Sequence, residues 1–164
     1  MILILGRFQP LHNGHMKVIR EAFDKDEEIV IAIGSAGRVD EKENPFSGEE
    51  RAEMIRKVLD LNGIPARIVL VPNTPTDKGY VQHVEKHIGA KPDKVMTENP
   101  WTIDLFSKAG YDVVVTDRHF QISSTKIRKL IASGERWEHF VPSPVPEFIR
   151  SIGGIERIKK TEDL

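Results

Sequence analysis

Five short apolar runs punctuate the chain: Ile2–Leu5, Ile29–Ile33, Arg67–Val71, Lys94–Thr97 and Asp112–Thr116. They are rich in Ile and Val, nearly continuous rather than alternating, and each ends close to Gly, Pro, Asn or Asp. Continuous β-branched runs suit strands buried on both faces, and so predict a parallel sheet. Between them the apolar positions follow a helical period. Met16, Ile19 and Phe23 share one face after the first run; Met54, Val58 and Leu61 share another after the second, with Ile55 and Leu59 beside them. Ser47-Gly48-Glu49-Glu50 is a capping box that starts the second helix. Ser143-Pro144 predicts an N-cap followed by a proline in the first turn, with a helix running to about Ile152 and ended by Gly153-Gly154. Strands alternating with helices predict a doubly wound α/β domain, a five-stranded parallel sheet with helices on both faces. Residues 1–164 read as one such domain, with a C-terminal helix and tail over about 143–164 packing on it.

Composition narrows the chemistry. Hydrophobic residues are 39% of the 164 and charged residues 30%, the balance of a globular domain rather than a disordered chain or a membrane span. The Met1–Leu5 stretch is too short and lacks the basic start of a signal peptide, so the expected location is cytoplasmic. Lys and Arg number 24 against 25 Asp and Glu, without the basic excess that binding a nucleic-acid backbone needs. With no cysteine, thiol catalysis, disulfides and Cys-ligated metals are excluded.

In a doubly wound sheet, ligands bind beyond the carboxyl ends of the strands, where the winding reverses. The segments to search are therefore 6–13, 34–46, 72–79, 98–100 and 117–124. The first, Gly6-Arg7-Phe8-Gln9-Pro10-Leu11-His12-Asn13-Gly14-His15, runs from a strand straight into a helix. Gly6 allows a sharp turn and Gly14 a close backbone approach. His12 and His15 fall on the opening helical turn, where backbone amides and the positive dipole end favour an anion, and Arg7 adds a fixed charge. The expected guest is a phosphate. Neither G-x-x-x-x-G-K-[ST] nor G-x-G-x-x-G is present.

A second cradle is expected at Ile122-Ser123-Ser124-Thr125-Lys126-Ile127-Arg128, where Ser123 or Ser124 can cap a helix whose apolar face is Ile127, Leu130 and Ile131. Arg7, His12, His15 and Arg128 would then concentrate positive charge at strand ends. His83 and His87 stand one helical turn apart, but the order is not H-E-x-x-H, and they read as a solvated helix face; no metal-ligand cluster is expected.

His-x-Gly-His after a first strand, with Ser-Thr-x-x-Arg late in the chain, resembles the nucleotidyltransferase superfamily, whose fold is Rossmann-like. The Gly6-Arg7-Phe8-Gln9 prefix, Gly34-Ser35-Ala36, Glu43-Asn44-Pro45-Phe46, Glu50-Arg51 and Gly134-Glu135-Arg136-Trp137-Glu138-His139 are similar to its archaeal-type nicotinamide-mononucleotide adenylyltransferases. The resemblance implies transfer of AMP from ATP to nicotinamide mononucleotide, giving NAD and pyrophosphate. It implies catalytic roles for His12, His15 and Arg128, and an ATP site of Gly6, Arg7, Phe8, His12, Gly14, His15, Ser123, Ser124, Thr125, Arg128 and Arg136. Mg²⁺ would bridge ATP phosphates and water without a protein cage, and the relatives imply a homo-oligomer, commonly a hexamer.

For the acceptor, the resemblance aligns Asn73, Asp77, Tyr80, Asn99 and Trp101 with a pyridine-nucleotide pocket. Tyr80 stands where relatives carry Trp, and reads equally as a core residue at a helix start. Gly37-Arg38-Val39-Asp40 and Thr97-Glu98 also depart from the family pattern near that pocket, whereas the ATP motifs are intact. The alternatives are another phosphorylated acceptor, such as phosphopantetheine or a different mononucleotide, and an idle nucleotide sensor.

Overall fold

The computed structural model describes every residue except 26 and 115–121. The strands are β1 (Ile2–Gly6), β2 (Ile29–Ile33), β3 (Arg67–Leu70), β4 (Lys94–Met96) and β5 (Asp112–Val114). Positions 115 and 116 of the fifth predicted run, and the first five positions of the 117–124 segment, lie outside the described residues. All pairings are parallel and the order is β3-β2-β1-β4-β5, so the winding reverses beside β1. Gly6 is level with Ile33 and Ile4 with Met96, which brings the carboxyl ends of the three central strands to one rim.

The helices are α1 (Asn13–Asp24), α2 (Gly48–Asn62), α3 (Tyr80–Ile88), α4 (Pro100–Lys108), α5 (Ser124–Ser133), α6 (Val145–Ser151) and α7 (Gly154–Glu162). Two apolar clusters lie on opposite faces of the sheet. Ile2, Ile4, Ile29, Ile31 and Ile33 pack with α1, α2 and α5–α7; Leu3, Leu5, Val30, Ala32 and Val95 pack with α3 and α4. Every residue of β2 is buried, as its unbroken apolar run predicts. The capping box of α2 is present with both bonds, 3.1 Å to the Ser47 hydroxyl and 2.9 Å to the Glu50 carboxylate.

Three expectations require correction. Phe23 and Leu61 do not join the buried faces of α1 and α2; they are 41% and 66% exposed. Both fall in the last turn of their helices, where no following turn flanks the side chain. Ser143 caps nothing: Pro144 holds the cap position of α6 without a side-chain bond. Gly153-Gly154 does not end the helical structure but starts α7. Gly153 takes the left-handed φ of 67° that turns the chain, and a Cβ on Gly154 would stand 2.8 Å from the Ile149 carbonyl oxygen. The tail is thereby a helix, and Arg157 on it clamps both carboxylate oxygens of Glu50 at 2.6 and 2.8 Å.

Candidate active site

The loop after β1 is held from beneath. Phe8 is buried at a φ of 54°, its ring against Gly6, where a Cβ would come within 3.2 Å. The glycine thus makes room for a ring rather than for a ligand, and its φ is not left-handed. Gln9 is also buried and pairs with the Phe46 backbone twice, donating to its carbonyl and accepting from its N–H, both at 3.0 Å. That pairing ties the β1–α1 loop to Asn44-Pro45-Phe46.

Arg51 is fully buried on α2. Its guanidinium donates to four backbone carbonyls: Ser47 at 3.0 Å, Arg7 and Gly34 at 2.8 Å, and Ser35 at 3.0 Å. One side chain therefore fixes the loops leaving β1 and β2. Burial, with Arg7 nearby, lowers its pKa to about 10, which still leaves it charged at neutral pH.

His12 and His15 cap α1 reciprocally. His12 Nδ1 accepts the Gly14 N–H and His15 Nδ1 accepts the His12 N–H, both at 3.1 Å. A ring nitrogen that accepts a backbone N–H carries no proton, so each imidazole is neutral with its proton on Nε2. The rings stack at 3.7 Å, and His15 lies 4.7 Å from the Phe8 ring. Gly14 is required by this stack, since a Cβ there would approach His12 to 2.9 Å. Burial lowers His12 to about 4, and burial together with His12 holds His15 well below its ordinary value. The expected positive charge at these two positions is corrected accordingly. At neutral pH the pair offers N–H donors, and the charge is carried by Arg7, Arg51 and Arg128.

The depressed His12 pKa has a measurable consequence. Above about pH 6.5 the residue is neutral folded or unfolded; between 6.5 and 4 the unfolded chain takes up a proton that the folded one refuses. Stability contributed by the neutral ring is therefore lost as pH falls through that window, on the order of 3 kcal/mol by pH 4. His12→Asn keeps a capping oxygen without titrating. Urea unfolding should show a steeper decline from pH 7 to 4.5 in the parent than in this variant; parallel curves would refute it.

α5 brings its N-terminus to the same rim. Ser123 is its N-cap, accepting the Lys126 N–H at 3.1 Å, and the Ser124 hydroxyl donates to the Pro10 carbonyl at 2.9 Å. Arg128 is buried and donates to the Gln9 carbonyl and to a Glu43 carboxylate oxygen, both at 2.9 Å. Glu162, from α7, stands 3.5 Å from its Nε. The same Glu43 oxygen lies 3.7 Å from the Arg7 guanidinium.

These elements enclose a cavity of about 330 Å³, within the range of small-molecule sites. Of the residues expected at an ATP site, Gly6, Arg7, Phe8, His12, His15, Ser123, Ser124, Thr125 and Arg128 line it. Gly14 stands behind the His pair, and Arg136 is exposed outside the lining. Of the acceptor candidates, Asn73, Tyr80, Asn99 and Trp101 line it; Asp77 is exposed and does not. Tyr80 and Trp101 form an aromatic pair with centroids 4.7 Å apart. Asn99 Oδ1 is committed to capping α4 through the Trp101 and Thr102 N–H groups. Trp137 packs with α6 on the opposite side of the protein's chemistry, under the Arg150 guanidinium. His83 and His87 sit on α3, bonded to the carbonyls of Pro72 and His83.

Sequence reasoning missed Glu98, the one carboxylate among the described lining residues. Its oxygen and ring nitrogens of His12 and His15 lie within 4.8 Å of one another. The spacing fits a metal triad, but the chemistry does not. A metal on either Nε2 would move the proton to Nδ1, against a backbone N–H. The His pair is built to donate to anions.

Residues 3–130 match the family model described as cytidylyltransferase-like. The chain belongs to the cytidylyltransferase-like family. Its relatives within this family are archaeal. A nicotinamide-nucleotide adenylyltransferase of Thermococcus onnurineus is 40% identical, covering 96% of this chain and 86% of that protein. The same-named protein of Methanosarcina mazei is 37% identical over 94% of this chain and 90% of its own length. Among solved structures, a bifunctional NMN adenylyltransferase/ADP-ribose pyrophosphatase of Francisella tularensis, complexed with AMP and a manganese ion, superposes with a TM-score of 0.76 at 22% identity. This chain is covered to 99%, and spans 52% of that longer protein. That likeness shows a shared cytidylyltransferase-like fold, the Rossmann-like arrangement that the sequence pattern predicts.

Proposed function

We propose that this protein is an adenylyltransferase that condenses nicotinamide mononucleotide with ATP to give NAD and pyrophosphate. The observation that carries the reading is the convergence of two helix N-termini, α1 and α5, on one cavity whose wall presents two neutral imidazole N–H donors. Such a wall is complementary to a polyphosphate. The choice of acceptor is supported by the names of relatives 37–40% identical over nearly the whole chain.

The acceptor's phosphate oxygen attacks the α-phosphorus of ATP in line; the new P–O bond forms as the bond to pyrophosphate breaks. The phosphate is already an anionic nucleophile, so no protein nucleophile and no general base are required. The protein's work is to align two anions that repel one another, which contributes ~7–11 kcal/mol in well-oriented reactions, and to stabilise charge on the leaving group. In this reading His12 and His15 donate through Nε2 to phosphate oxygens near the reacting centre. Arg7, half-exposed on the rim, and the α5 N-terminus hold the β and γ phosphates. Arg128 adds charge from below, and the triphosphate takes the place of the Glu43 oxygen that bridges Arg7 and Arg128. Tyr80 and Trp101 receive the pyridinium ring through cation–π stacking. A divalent cation, Mg²⁺ in this reading, neutralises phosphate charge; it enters with the nucleotide because the cavity's other donors are N–H groups.

The test is pyrophosphate release from ATP and Mg²⁺ with a panel of acceptors: nicotinamide mononucleotide, nicotinate mononucleotide, phosphopantetheine and a purine mononucleotide. Turnover is expected with nicotinamide mononucleotide. Turnover confined to one of the last two would replace the acceptor and keep the chemistry. The relatives' names also make assembly as a homo-oligomer, a hexamer by family resemblance, part of this reading; light scattering measures it directly. No helix among the described residues is long and apolar enough to cross a membrane.

A further inference from the structure

Within that reading, we infer that Glu98 is the protein's own anchor for the divalent cation that accompanies the triphosphate. Every other feature of the cavity favours anions: two helix N-termini, two imidazole N–H donors, Arg7 and Arg128. Glu98 alone opposes them. It follows β4, the strand beside β1 at the reversal of the sheet, and its carboxylate stands within 4.8 Å of the His pair. A carboxylate at that spot repels a phosphate unless a cation lies between them. Mg²⁺ and Mn²⁺ suit that position, since such ions keep several waters and bind through one or two carboxylates together with substrate phosphates.

The donor set assigns the division of labour. His12 and His15 keep their protons on Nε2 and contact phosphate oxygens, while Glu98 supplies the one anionic protein oxygen and the phosphates supply the others. The site is therefore complete only with nucleotide present. It differs from a resident His–His–carboxylate centre, which would hold a metal by itself. It also places the neutralising charge on the side of the cavity facing α4, opposite Arg7 and Arg128 on the β1–α5 side, so that the reacting phosphorus is flanked by positive charge.

Mn²⁺ binding, followed by electron paramagnetic resonance with a non-hydrolysable α,β-methylene ATP analogue, tests the inference without turnover. In the parent, Mn²⁺ should bind at least tenfold more tightly with the analogue than alone. Glu98→Gln should weaken Mn²⁺ binding to the analogue complex about tenfold, while analogue binding in EDTA is not weakened, because a repulsive charge has been removed. Glu98→Asp, which keeps the charge on a shorter stem, should fall between the two, and this series separates coordination from misfolding. Equal or tighter Mn²⁺ binding in Glu98→Gln overturns the inference. So does weakened analogue binding in EDTA, or tight Mn²⁺ binding to the nucleotide-free protein. The probe contains no acceptor, so failure of nicotinamide mononucleotide to turn over would defeat the acceptor assignment alone, whereas failure of the parent to bind the analogue would defeat both.

Discussion

Replacing His15 with alanine is expected to lower kcat about 10²–10³-fold, the loss found when one preorganised donor to a developing oxyanion is removed. His15 is the stronger candidate of the pair for this effect, because its ring is the outer member of the stack on Phe8 and His12 is more deeply buried. The substitution has a second effect that must be separated from the first. His15 Nδ1 accepts the His12 N–H, so alanine also removes half of the reciprocal cap of α1. A lost cap is worth ~1 kcal/mol of stability and leaves the rate of the remaining folded enzyme unchanged. His15→Gln discriminates, since glutamine at the third helical position can reach back to the same N–H. Melting temperature should return toward the parent value in His15→Gln while kcat remains at least tenfold low. Recovery of both would reduce His15 to a cap.

Arg51→Met is expected to destabilise the protein by about 4 kcal/mol. Methionine preserves much of the volume but supplies no donor to the Ser47, Arg7, Gly34 and Ser35 carbonyls. A buried acceptor left without a donor costs ~1–3 kcal/mol, and water can recover part of the loss only at the cavity side. Arg51→Lys keeps the charge, but its ammonium is a point donor that cannot span four carbonyls on three segments, so it should rescue less than half. Urea unfolding measures both variants; a loss below 1 kcal/mol in Arg51→Met would show that the loops hold themselves. Because the Arg7 and Ser35 carbonyls belong to cavity-lining residues, KM for ATP should rise in parallel.

Arg51 also shows where sequence reading stops. In Gly48-Glu49-Glu50-Arg51 it reads as a solvated residue of a charged first turn, and nothing local distinguishes it from Arg56, which is exposed beside Glu53. Its burial depends on carbonyls from residues 7, 34 and 35, which only the assembled sheet brings together. Glu98 was illegible for the same reason: a carboxylate one residue after a strand has no partner in the sequence, and gains its meaning from His12 and His15 across the rim. By contrast, features that depend on neighbours in the chain were legible. The unbroken apolar run of β2, the Ser47–Glu50 box and the placement of His12 and His15 on an opening turn all follow from local spacing. The widths of the apolar faces did not, as Phe23 and Leu61 show, and Gly153-Gly154 signalled a turn without saying whether another helix follows. Asp77 and Arg136 carried polar chemistry in suggestive surroundings, yet the fold directs both to solvent.

The contact between Ser124 and Pro10 spans 114 residues, and that between Arg128 and Gln9 spans 119. The cavity thus sits on the seam where the beginning of the chain meets its last third. A molecule gripping both the α1 and α5 turns behaves as a reversible cross-link across that seam, closing a long loop much as a covalent staple would. At a hundred times its dissociation constant such a ligand adds ~2.7 kcal/mol to global stability. Its protection against hydrogen exchange should extend beyond the residues it touches, because the carboxyl-terminal helices can then open only by releasing the ligand first.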